Sequence, residues 1–281
     1  MADVLLIWDY DTPVTRITTT NPYNCNFHQW LAEEDHVKYI LKTAKQLDAK
    51  FTFAVVGFGA EISVAPFDVR HVIQQIHADG HEIASHSWKH EWLPHLSKFQ
   101  LNKTVERSKW ILEQCTGSTV NGFVLPHDRP MSWLSKLAFS AGDRSLYPFF
   151  PGADIDGVAK ALRAHQYKWM RYNARLVTQK LTDWNGSKPE LKRTKKFYQS
   201  NGFHFVPEHC MEFGQATIDS LNWAADNNKT LVIAGHPAAL GFKQENLDNY
   251  NRFVELAIKL QRSGSIRFRT MSDYLNLPTH A

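Results

Sequence analysis

No stretch of this chain approaches the ~18 consecutive apolar residues a membrane span requires, which excludes a helical integral membrane protein. The first nine residues carry neither a basic leader nor a small-residue cleavage pattern. They read as an opening β-strand rather than a signal peptide, and the expected compartment is the cytoplasm. Cysteine is scarce. Cys25, Cys115 and Cys210 are odd in number, far apart and form no CxxC, which argues against a disulfide framework or a zinc ribbon. No linker rich in Pro, Gly or Ser divides the 281 residues, and no internal repeat or low-complexity tract interrupts them. A net charge of +4 is too small to indicate a nucleic-acid partner.

That charge is unevenly placed. Residues 160–196 hold eleven Lys/Arg against Asp183 and Glu190, leaving the rest of the chain acidic. The segment suits an anionic substrate or a membrane surface, or is a solvated helical face. Elsewhere short apolar runs at 4–8, 51–56, 82–85, 122–125, 203–206, 231–234 and 266–270 read as buried strands. Stretches with helical spacing lie between most of them, at 36–47, 69–79, 102–115, 216–227 and 247–263. Strand alternating with helix predicts an α/β fold with a parallel sheet, and about seven repeats suggest closure into a barrel. Residues 143–200 break the rhythm and read as a basic insertion in an otherwise single domain.

The chemistry-bearing residues follow the strands. His86 and His90 stand four apart after the third run; on a helix both imidazoles would share one face, as a ligand pair or a solvated one. After the first run come Asp9 and Asp11, which leave a strand on the same side. Two such carboxylates repel unless a cation or a proton intervenes; the alternative is a pair of turn-forming aspartates. Two imidazoles and a carboxylate suit zinc with an open position, and the same set accepts iron, cobalt, nickel or manganese. His236, after the sixth run, is either a buried structural histidine or a proton donor. His204, Glu208 and His209 form a further polar group after the fifth run, where His209 could contact substrate.

In sequence order these motifs resemble the polysaccharide deacetylases of carbohydrate esterase family 4. The matches are Trp8-Asp9-Tyr10-Asp11-Thr12, the second strand 49–57, and above all Gly80-His81-Glu82-Ile83-Ala84-Ser85-His86-Ser87-Trp88-Lys89-His90, then the strand ending at His236 and the closing Phe268–Tyr274 segment. The resemblance implies a distorted (β/α)7 barrel and metal-dependent removal of an N-acyl group, acetyl or formyl, from a sugar. It implies Asp11, His86 and His90 as metal ligands, with zinc the expected ion. Asp9 would be the general base and His236 the general acid. Two departures stand out. The aspartates are spaced by Tyr10 rather than adjacent, similar to a branch acting on small amides. In the third motif Val124 occupies the place of an arginine that orients the base, and His127 the place of an aromatic; Arg129 is the expected substitute. Trp88, His127, Arg129 and His209 are the expected substrate contacts.

With no export signal, the expected substrate is an N-acylated sugar or glycan precursor, some of them phosphate-bearing, in surface-polysaccharide, lipopolysaccharide or O-antigen synthesis. Nucleic acid is not an expected partner; peripheral membrane contact and a homo-oligomer are compatible with the reading. The rival readings are a hydrolase of small non-sugar amides and an inactive carbohydrate-binding relative.

Overall fold

A computed structural model describes residues 1–13, 28, 31–65, 67–91, 93, 96–126, 155–172 and 196–278. The sheet begins with β1 (Ala2–Tyr10), almost wholly buried. Its side chains alternate between two cores. Leu6, Trp8 and Tyr10 pack outward under the helices, while Leu5 and Ile7 join an inner cluster with Ala54, Ala84, Val124, Trp169, Val206, Val232 and Met271. A strand buried on both faces explains why the run reads as continuously apolar.

Around β1 stand β2 (Thr52–Val55), β3 (Glu82–Ser85), β4 (Gly122–Val124), β5 (Trp169–Tyr172), β6 (Tyr198–Ser200), β7 (Phe203–Pro207), β8 (Cys210–Met211), β9 (Leu231–Gly235) and β10 (Ile266–Phe268). Their order is β6-β7-β5-β4-β3-β2-β1-β9-β8, with β10 also pairing β1. Every pairing is parallel except β6 with β7. Helices α1 (Glu33–Gln46), α2 (Gly57–Glu61), α3 (Arg70–Ala78), α4 (Lys98–Thr116), α5 (Ile155–Ala164), α6 (Gln215–Asn227) and α7 (Gln244–Arg262) cover the outside, and the short α8 (Met271–Tyr274) closes the bottom. This is the curled, mostly parallel α/β barrel expected from the alternation. Among the described residues no helix is long and apolar enough to cross a membrane.

The chain itself closes the ring. β7 runs through Glu208 and His209 into β8, which lies against β9. His209 stitches this seam: its backbone N–H donates to Val232 O (3.1 Å), and its Nδ1 accepts the Val232 N–H (2.9 Å).

Each of the seven expected strands is present. Residues 143–200, read as an insertion, also supply two: β6 at the edge of the sheet, and β5, which stands inside it between β4 and β7. Its sequence, Trp169-Met170-Arg171-Tyr172, carries a charge that hides its strand character. A would-be Cβ on Gly122 would lie 2.0 Å from the Trp169 ring, so only glycine lets β4 and β5 pack here. Within 143–200, residues 143–154 and 173–195 lie outside the described residues.

Candidate active site

The inward alternation that builds the inner core also delivers the polar groups. On β1 the series Leu5, Ile7 continues as Asp9 and Asp11, both buried. Ala84 is followed two residues on by His86, Trp169 by Arg171, and Val206 by Glu208. An apolar plug fills the barrel, and a charged layer rests on it at the carboxyl ends of the strands.

The histidine pair does not lie on a helix, contrary to the sequence expectation. β3 ends at Ser85, and α4 starts only at Lys98. Between them the backbone turns through two left-handed residues, Ser87 (φ 67°) and His90 (φ 57°). Neighbouring elements hold this loop. The first N–H groups of α2 donate to it, Gly57 to Ser87 O (3.0 Å) and Phe58 to Trp88 O (2.7 Å), and the Ser108 hydroxyl donates to Ser87 O (2.8 Å). A helix end with unsatisfied N–H groups is thus capped by the loop it positions.

The loop brings both imidazoles onto Asp11. His86 Nε2 lies 3.4 Å and His90 Nε2 3.5 Å from Asp11 Oδ1. One donor atom from each residue falls within 4.8 Å of the others, and all three residues are buried. His86 Nδ1 faces the Val124 carbonyl at 3.0 Å. Donating its N–H there leaves the Nε2 lone pair turned toward Asp11. Two neutral imidazole nitrogens and a carboxylate oxygen converging in this way fit a divalent cation.

Asp9 is excluded from that trio by its partner. Arg171 grips it with both terminal nitrogens, Nη1 to Oδ1 at 2.8 Å and Nη2 to Oδ2. Arg171 is almost fully buried, and its Nε lies 3.8 Å from Glu208 Oε2. On the other side His236 Nε2 is 3.8 Å from Asp9 Oδ2, and His236 Nδ1 is 2.7 Å from Glu212 Oε1. Burial pulls the His236 pKa down. The Glu212 hydrogen bond and the Asp9 and Asp11 charges outweigh it and lift the pKa to about 9. Glu212 itself sits in the left-handed region (φ 60°), an uncommon conformation for this residue type.

The remaining expected contacts are placed as follows. Trp88 is half-buried, its Nε1–H bonded to Glu61 (2.7 Å), and Lys89 Nζ lies 4.1 Å from its ring. His209 is buried in the barrel seam. His127 and Arg129 lie outside the described residues. Sequence reasoning missed Arg171 and Glu212. Arg171 falls within the basic segment at 160–196, and its charge hides the strand that carries it. Glu212 follows the polar group at 204–209 by only three residues, and nothing in its spacing marks it.

The arrangement offers a donor set that fits a cation, a carboxylate beside it and an imidazole with a raised pKa on the same rim. This is a set for adding water to an acyl carbon and protonating a leaving group.

Comparison with known proteins agrees with the resemblance. The family model described as polysaccharide deacetylase matches residues 25–140. Among solved structures, a protein assigned as a polysaccharide deacetylase from Mycobacterium smegmatis superposes with a TM-score of 0.63 at 17% identity, covering 100% of this chain and 93% of that one. Puue allantoinase gives 0.64 at 12%, covering 98% and 89%. A mutant of a CE4 family pseudoenzyme with restored enzymatic activity gives 0.51 at 15%, covering 97% and 66%. At these identities the likeness is one of fold. No curated protein matches the chain in sequence.

Proposed function

For a chain whose residues 25–140 match the family model described as polysaccharide deacetylase, we propose a metal-dependent hydrolase that removes an N-acyl group, acetyl or formyl, from an amino sugar. The observation that carries the reading is the convergence of Asp11, His86 and His90 beside Asp9. Zinc suits the donor set. A cytoplasmic N-acylated precursor for surface polysaccharide or lipopolysaccharide is the proposed substrate class.

Asp11, His86 and His90 would hold the ion, which when bound supplies an acidified water and a polarised acyl carbonyl. Asp9 takes the proton of the attacking water. Attack on the acyl carbon forms a tetrahedral centre, and the C–N bond then breaks. His236 carries the proton the departing nitrogen needs, held on Nε2 while Nδ1–H is committed to Glu212. Without it the amine would leave as an unstable anion. The acid keeps its proton at neutral pH because its partner, Glu212, is an anion.

The test is acid release by zinc-loaded protein from a panel of N-acetyl and N-formyl amino sugars, free and nucleotide-linked, with small cyclic amides alongside because of the Asp9-Tyr10-Asp11 spacing. Asp9→Asn is expected to retain zinc and lose about 10²-fold or more in kcat. His86→Ala is expected to lose zinc and turnover together. Acetate or formate released from none of the sugars would overturn the substrate class.

A further inference from the structure

We propose that Arg171 is the positioning residue for Asp9 and that Glu208 holds Arg171 in turn, so that the fifth strand supplies what the fourth lacks. The inference rests on the hydrolase reading above. Val124 is fully buried among inner apolar side chains and cannot touch the base with a charge. In the register of the sheet its direct partner on the next strand is Arg171. The guanidinium therefore rises from the same height in the barrel, one strand further round, and crosses to β1. There it meets Asp9 with both Nη atoms, a fork that fixes the plane of the carboxylate as a single ammonium cannot. The remaining edge of the fork, Nε, faces Glu208. Glu208 lies on the link between β7 and β8, so one buried arginine is clamped between β1 and the barrel seam.

The experiment uses zinc-loaded full-length protein and two probes, 4-nitrophenyl acetate and chitotriose. Arg171→Ala is expected to lose about 10²-fold in kcat on both, with KM changed little. Zinc affinity should stay within about twofold of the parent, since the guanidinium touches no ligand. Millimolar guanidinium should restore part of the rate to Arg171→Ala and none to Asp9→Asn. Arg171→Lys keeps the buried charge and protects against misfolding; it should still lose about 10-fold or more. Glu208→Gln should lower kcat in the parent and have no further effect in Arg171→Ala, because it acts through that residue. Wild-type turnover in Arg171→Lys, a fall in zinc affinity that parallels the rate, or additive losses would overturn the proposal. Should the parent cleave neither these probes nor any amide of the panel above, the hydrolase reading fails, and crystal structures of zinc-loaded parent and Arg171→Ala decide the positioning claim. A displaced Asp9 carboxylate supports it, and an unmoved one overturns it.

Discussion

Glu212 illustrates how much a single residue can set here. Its left-handed backbone aims the carboxylate at His236 Nδ1, and β9 pins it there by the Glu212 N–H to Ala234 O bond (2.8 Å). In the proposed role protonated His236 is the active form, so activity is expected to fall as pH rises through a pKa of about 9. A cation at Asp11 cancels part of that lift, which leaves the Glu212 bond as its main support. Glu212→Gln is therefore expected to move the alkaline limb of the kcat/KM profile to lower pH. The loss should be much larger for an amide than for 4-nitrophenyl acetate, whose leaving group departs without a proton. Equal losses on both would remove His236 from the acid role. His81 makes a different prediction. It is buried, its Nδ1 accepts the Phe51 N–H (3.0 Å), and burial together with Lys50 lowers its pKa to about 4. The unfolded chain takes up this proton near pH 6.5, before the folded one does, so stability present at neutral pH is lost as pH falls toward 4. The amount is on the order of 3 kcal/mol. His81→Asn keeps an acceptor but does not titrate. Denaturant melts from pH 7 to 4 should show a shallower loss for the variant.

At the scale of elements, Glu82 ties four pieces of the barrel bottom together. It opens β3 and accepts from the Thr52 hydroxyl (2.8 Å), the Ser272 N–H (3.0 Å), the Ser272 hydroxyl (2.6 Å) and Trp169 Nε1 (3.3 Å). Thr52 also receives the Met271 N–H (3.0 Å), so β2, β3, β5 and α8 meet at one carboxylate. Burial raises the Glu82 pKa despite these donors. Glu82→Ala strands four buried donors and is expected to cost about 3 kcal/mol or more. Thermal melts should record a fall of several degrees or more, without loss of zinc affinity in the folded fraction. The histidine loop shows why local reading faltered at this scale. His86 and His90 have a helical spacing, but their backbone is set by bonds to α2 and α4, elements distant in sequence. The convergence of the two histidines was legible and its scaffold was not. β5 was missed for a related reason: Arg171 looks like a surface charge until its partner, 162 residues away, is seen.

Across the whole molecule, a sheet of parallel strands closed by the Glu208–His209 link gathers groups from β1, β3, β5 and the β7–β9 seam onto one rim. The three proposed ligands come from two distant segments and meet only when the barrel is folded, so cation binding there would be linked to folding. Zinc at about 100 times its Kd should stabilise the fold by roughly 2.7 kcal/mol, and EDTA should reverse the gain. The shift in Tm should vanish in His90→Ala. A shift that persists there would place the ion elsewhere.

The sequence alone determined the alternation of buried strand and helix, and it singled out Asp9, Asp11, His86, His90 and His236, because strand periodicity and donor chemistry are local properties. Only the tertiary structure decided which arginine grips Asp9, which carboxylate steadies His236 and that the histidines ride on a loop. Those outcomes depend on register and on contacts between segments up to 162 residues apart, which no local pattern encodes.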